Sequence, residues 1–295
     1  MDSAQALQQL INGLTLGSLY ALIAIGYTMV YGILRLINFA HGDVLMVGCY
    51  FAWFGAVQFG LPWWVALMGS MVLTALLGVL IDQGAYRPLR KAPRISALIT
   101  AIGVSFFLEN LGLVIFGGRP KAFQRPEIFN QLYQWGELRV LSLSVWVPII
   151  TAVILAGLMF FIYRTRQGMA MRALSRDLVT VHLMGIDTNR VVALTFALGS
   201  ALAAAGGIFW AMKYPQINPL MGVLPGLKAF VAAVLGGIGN VFGAVLGGLL
   251  LGLCEIMLVA FLPDLAGYRD ALAFVLLIGF LIFRPTGIMG EELPE

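Results

Sequence analysis

The sequence predicts an all-α protein that crosses a membrane several times, with about eight spanning helices in a single domain over residues 1–295. Composition is the first reason: 60% of the residues are hydrophobic and 11% are charged, whereas a soluble domain averages about 45–50% apolar and about 25% charged. Mean hydropathy is +0.93. The second reason is distribution, because the apolar residues gather in runs close to the roughly 20 that a helix needs to span hydrocarbon. The third is that most charges fall between those runs. The net charge of +4 is accordingly a topology signal and not a sign of nucleic-acid binding.

Taken in order, the runs are Leu7–Leu34, Val44–Phe59, Trp63–Leu80, Ile95–Phe116, Val145–Tyr163, Val191–Met212, Val241–Leu262 and Ala271–Phe283. The first is too long for a signal-peptide core, and no Lys or Arg precedes Arg35, so it is expected to stay as a span. A shorter piece, Leu224–Leu235, runs into the glycine-rich stretch Gly236–Asn240. It is too short to cross alone and reads as a broken or re-entrant helix, which membranes tolerate only under cover of protein or a wet cavity. Cys49 and Cys254 lie inside apolar runs, as expected of buried structural thiols.

Loop charge orients the chain. Arg87, Arg90, Lys91 and Arg94 follow the third run, and a larger group of arginines follows the fifth. Two spans separate these loops, so they share a side, and the positive-inside rule makes that side cytoplasmic. The N-terminus is then outside and Gly117–Ser144 is an outer loop, although Arg119, Lys121, Arg125 and Arg139 lie in it. The side of the C-terminus depends on whether Leu224–Leu235 crosses, and the pattern leaves that open. Glycines four apart (Gly13 and Gly17, Gly243 and Gly247, Gly248 and Gly252) and the small residues Ala201 to Gly207 predict close helix packing, since small side chains let backbones approach in lipid.

The second arginine group is the island Arg164–Arg190. Met171, Leu174, Leu178 and Val181 recur at helical spacing along one stripe, while Arg172, Ser175, Arg176 and Thr180 point elsewhere. Each central charge would cost about 2.5–3.5 kcal/mol inside the bilayer, so this piece should lie at the membrane face as a short amphipathic helix. It reads either as a connecting loop that holds lipid headgroups or as a docking helix that passes motion from a cytoplasmic partner. Pattern alone leaves both open.

Polar groups inside spans are functional candidates by default. Glu109 and Asn110 fall in the outer half of the fourth run, with Ser105, Glu109 and Gly112 on one face. Glu255 shares a face of the seventh with Gly248 and Gly252. Asn38-Phe39-Ala40-His41-Gly42-Asp43 makes a polar break between the first two runs. Each group could line a path or act as interhelical glue. There is no GxxxxGK[ST] loop, HExxH motif or GxSxG elbow, and His41 and His182 are far apart. No enzymatic activity, resident cofactor or metal is expected, and energy must come from a partner or an ion gradient.

INGLTLGSLYALIAIGYTMVYG followed by INFAHGD, then RQGMAMRALSRD with LMGID, then GGIGN with GAVLGGLLLG, and finally FRPTGIMG together resemble the inner-membrane permease subunits of bacterial branched-chain amino acid ABC importers, nearly end to end. The resemblance implies a second, related permease and two cytoplasmic ATPase subunits that hold ATP and Mg. It also implies a periplasmic binding protein that delivers leucine, isoleucine, valine or a similar amino acid. Gly168–Gly185 matches the coupling segment of that family, which carries over to Gly168, Met171, Arg172, Leu174, Arg176, Asp177, Leu178, Val181 and Gly185. Asn38, His41, Asp43, Glu109, Asn110 and Glu255 are the candidates for the polar part of the path. Alternatives are a stand-alone secondary transporter or channel, or an ABC permease for urea, short amides or aromatic acids. A lipid-acting membrane enzyme would need a nucleophile–base pair that the sequence does not offer.

Overall fold

Small residues decide how the helices pack. The computed structural model describes residues 3–90, 92–136 and 138–290. Helix α1 (Ser3–Leu34) runs through the middle of the bundle, and α10 (Val241–Phe261) lies along it. A Cβ on Gly252 would sit 2.2 Å from the Gly17 nitrogen, and one on Gly17 would sit 2.7 Å from the Leu249 Cα. Two of the predicted glycine pairs, Gly13 with Gly17 and Gly248 with Gly252, thus line this contact, and the third, Gly243 with Gly247, packs on the Ala232 and Gly236 backbone. Helix α8 (Thr188–Lys213) packs on both α1 and α2 (His41–Trp53). Its small residues admit the Ile23 and Leu45 side chains at Gly206 and Gly207.

The first break follows α1. Arg35 adopts a left-handed backbone at φ 52° and turns the chain back toward the bundle. By residue 41 the chain has climbed back to Ile23, whose carbonyl accepts a hydrogen bond from His41 Nε2 at 3.2 Å. Ile23 lies eleven residues before Leu34, a rise of about 16 Å and so about half of a hydrocarbon layer roughly 30 Å thick. Helix α2 therefore starts at mid-depth. This is why it has only 13 residues, extended by a π-helical turn at Phe54–Gln58, where the second apolar run suggested a full span. Seven other helical stretches are long and apolar enough to cross among the described residues.

The peripheral helices α3 (Trp63–Ile81), α4 (Arg94–Phe116) and α5 (Ser142–Arg164) complete the first part of the bundle. The loop between α4 and α5 contains β1 (Lys121–Ala122) and the hairpin β2 (Leu132–Trp135) with β3 (Leu138–Leu141). Strand β1 pairs antiparallel with β4 (Gln216–Ile217), just beyond α8. Two of the positive charges that ran against the expected topology have partners here. Arg125 Nε donates to the Met212 carbonyl at 2.8 Å, capping the end of α8, and the Lys121 ammonium lies 4.5 Å from the Trp53 ring centre.

The second break follows β4. The chain re-enters to Gly222, and α9 (Val223–Gly236) runs from there to the opposite end as a half-helix. The two breaks touch, because a Cβ on Gly222 would lie 1.9 Å from the Gly42 carbonyl oxygen and one on Gly42 would lie 2.5 Å from that of Gly222. Helix α11 (Arg269–Phe283) then leads to a terminal segment that returns to the Gly236 turn. Ile288 N donates to Leu235 O and Met289 N to Gly236 O, both at 2.9 Å. Gly239 of that turn packs against Gly32 near the end of α1, so residues 284–290 lie at the cationic end. At this same end Arg90 Nη1 donates to Asn189 Oδ1 at 2.7 Å, joining the two cationic loops as expected. Lys91 and the Arg94 side chain lie outside the described residues.

Candidate functional site

Where α2 and α9 meet, the helix ends and α4 enclose a cavity of about 220 Å³. Its walls include Tyr27, Phe39, Gly42, Asp43, Ser105 and Glu109. Asp43 is 2% exposed and sits in the first turn of α2. The Ser105 hydroxyl, one turn from Glu109 on α4, donates to Asp43 Oδ2 at 2.5 Å. Backbone contact between Gly42 and Gly222 closes the cavity's inner wall, which any side chain at either position would push apart.

The six candidate path residues separate on this geometry. Asp43 and Glu109 line the cavity. Asn38 and His41 are buried beside it as positioning groups: Asn38 Oδ1 accepts from Tyr86 OH at 2.8 Å, and the His41 ring packs 4.4 Å from that of Tyr27. Asn110 faces outward and donates to the Phe106 carbonyl of its own helix at 2.7 Å. Glu255 is fully buried elsewhere, between α1, α9 and α11. There Lys228 Nζ meets Glu255 Oε1 at 2.9 Å and Asp270 Oδ1 at 2.6 Å. Arg269 Nε is 3.6 Å from Glu255 Oε2, and Tyr20 OH donates to the same carboxylate at 3.1 Å. Glu255 thus ties helices together with opposite charges that lipid could not supply. Lys228 and Tyr20 are the partners sequence reasoning passed over, though a lysine within Leu224–Leu235 was a visible signal.

At the cationic end the predicted single amphipathic helix is two short ones, α6 (Arg166–Arg176) and α7 (Leu178–Leu183), parted at Asp177. Thr165 caps α6, its hydroxyl accepting from Gly168 N at 3.0 Å. A Cβ on Gly168 would lie 2.3 Å from the Phe161 and Ile162 carbonyl oxygens, so only glycine lets α6 fold back so tightly from α5. Met171, Leu174 and Val181 are buried in the bundle, making the apolar stripe the attached face. The exposed face carries Arg172, Arg176, Asp177 and Gly185, with Met169, Leu183 and Met184 exposed among them. Those three apolar residues were not read as surface from sequence. The Arg172 guanidinium stacks over the Tyr163 ring at 4.9 Å. The Leu178 side chain lies outside the described residues.

The model of the family described as branched-chain amino acid transport system / permease component matches residues 9–281. This chain belongs to that family. The permease is 46% identical to the high-affinity branched-chain amino acid transport system permease protein BraD of Pseudomonas aeruginosa, over 97% of this chain and 96% of that one. It is 44% identical to LivH of Escherichia coli K12, with the same coverage. A more distant relative, the ribose import permease protein RbsC of Haemophilus influenzae, is 26% identical over 92% of this chain and 83% of its own. Among solved structures, PsaBC from Streptococcus pneumoniae in complex with Fab aligns with a TM-score of 0.50 and 15% identity, covering 93% of this chain and 91% of that one. That likeness concerns the fold alone. The protein is therefore a multi-pass membrane permease and one component of a transport system.

Proposed function

We propose that this permease carries branched-chain amino acids or close analogues across the bacterial inner membrane as one subunit of an ABC importer. The match to the permease family over residues 9–281 is the observation that supports this most. In this reading a second, related permease completes the pathway. A periplasmic binding protein delivers leucine, isoleucine or valine, and two cytoplasmic ATPases bind ATP and Mg, with no cofactor resident in this chain. The exposed face of α6 and α7 docks on an ATPase through Arg172, Arg176, Met169, Leu183 and Met184, while the stripe of Met171 and Leu174 carries the motion into α1 and α5. Such rigid-body coupling needs a segment fixed on one face and free on the other. These helices have both faces.

The test is reconstitution of the full complex in proteoliposomes with leucine-loaded binding protein. Uptake should require ATP inside and should stop when the ATPases are omitted. Uptake by the purified chain alone under a proton or sodium gradient would replace this reading with a secondary transporter. Arg172→Glu should leave the chain in the membrane but sharply reduce co-purification of the ATPases, as measured by pull-down. Unchanged co-purification would remove the docking assignment.

A further inference from the structure

The cavity at the meeting point of α2, α4 and α9 has an unbalanced charge pattern. Two carboxylates, Asp43 and Glu109, line it, and none of the residues lining it is a Lys, Arg or His. The ion pairs found among the described residues involve neither group. His41, the nearest candidate, spends Nε2 on the Ile23 carbonyl. Asp43 is 98% removed from solvent by the 2% exposure noted above, and its one side-chain hydrogen bond in the cavity is from the neutral Ser105 hydroxyl. The remaining walls, including Tyr27, Phe39, Ile102 and Leu227, are largely apolar. A buried carboxyl with no cation beside it either keeps its proton or bears a large desolvation cost as the carboxylate, and a cationic ligand would favour the carboxylate form; a cavity combining a few convergent polar groups with apolar walls is the usual form of a small-molecule site.

We infer that this cavity is the half-site for the primary ammonium group of the cargo. Asp43 and Glu109 accept its N–H donors, and Tyr27, Phe39 and Leu227 face the aliphatic side chain. The lining offers the cargo carboxylate no Lys, Arg or His. This inference rests on the importer reading.

The experiment uses the complete importer in nanodiscs without binding protein. Thermal shift is read with 3-methylbutylammonium, which is leucine without its carboxylate, and with 4-methylpentanoate, which is leucine without its ammonium group. The amine should stabilise the complex at millimolar concentration, and the carboxylate should do so at least about tenfold less well, the loss expected for a charge-assisted hydrogen bond. Glu109→Gln should weaken the amine response by about tenfold or more without changing the melting point of the unliganded complex by more than a few degrees. Asp43→Asn should do the same; if that variant fails to assemble, the half-exposed Glu109 decides the matter. An equal response to both probes, or an amine response unchanged in Glu109→Gln, overturns the half-site. ATP-driven leucine uptake by the wild-type complex is measured in parallel. Uptake without an amine response rejects the half-site and leaves the importer reading standing. Absence of uptake rejects the importer reading, and the half-site with it.

Discussion

Helix α1 and the stretch Pro263–Phe283 that ends in α11 are both apolar enough to cross a membrane, yet 89% of the most apolar part of the first is buried in the protein and only 6% of that of the second. In water such a contrast would show in composition. Here α1 is set apart by Gly13, Gly17 and Gly26, which bring the α10 and α8 backbones and the His41 ring into contact. Helix α11 instead presents Val275, Ile278, Ile282 and Phe283 outward. In a bilayer the lipid chains are as apolar as leucine, so packing selects for small residues and not for greasier ones. The same logic separates α8, whose Gly199 to Gly207 flank is buried, from α4, whose Phe106, Phe107 and Val114 are exposed.

Mutations placed on either side of that contrast would test it, and the largest effect is expected where α11 is tied to the core by charge. Lys228→Met leaves Glu255 fully buried with the more distant Arg269 as its counter-charge and the neutral Tyr20 hydroxyl and should lower stability by about 3–5 kcal/mol, seen as a fall in melting temperature of the purified complex. Gly252→Val is next. Its side chain would meet the Gly17 nitrogen, and forcing α1 and α10 apart should cost about 1–3 kcal/mol or more, measured in the same melt. Thr165→Ala removes the α6 cap and should cost about 1 kcal/mol. Faster hydrogen exchange confined to residues 166–176 would be its signature. Val114→Ala, on the outer face of α4 and 83% exposed, should change stability by no more than about 0.5 kcal/mol. A larger loss there would mean that this face is packed against a partner and not against lipid.

Much of this was legible in the residues. The apolar runs located every long helix, the glycine spacing named the close contacts, and the arginine clusters put two loops on one side, where Arg90 and Asn189 are indeed joined. The stripe of Met171, Leu174 and Val181 was also correct as a stripe. Its direction was not legible, because periodicity says which residues share a face and not what that face meets. The second run was read as a span because hydropathy carries no information on depth, whereas His41 and Asp43 begin α2 halfway through. Glu109, Asn110 and Glu255 looked alike as polar residues in apolar sequence. One lines a cavity, one bonds to its own helix, and one is neutralised by Lys228 from a segment 27 residues earlier.

Amino-acid composition and order determined on their own that the chain is a helical protein crossing a membrane several times, where its helices run and which end carries the positive charge, because transfer from water to hydrocarbon depends on each residue's own chemistry. Only the tertiary structure decided which helices form the core, that two broken segments meet at Gly42 and Gly222, and which carboxylates share a cavity. Inside a bilayer the protein interior and its surroundings are equally apolar, so burial leaves no compositional mark, and those choices rest on backbone approach and on charge pairs between residues distant in the chain.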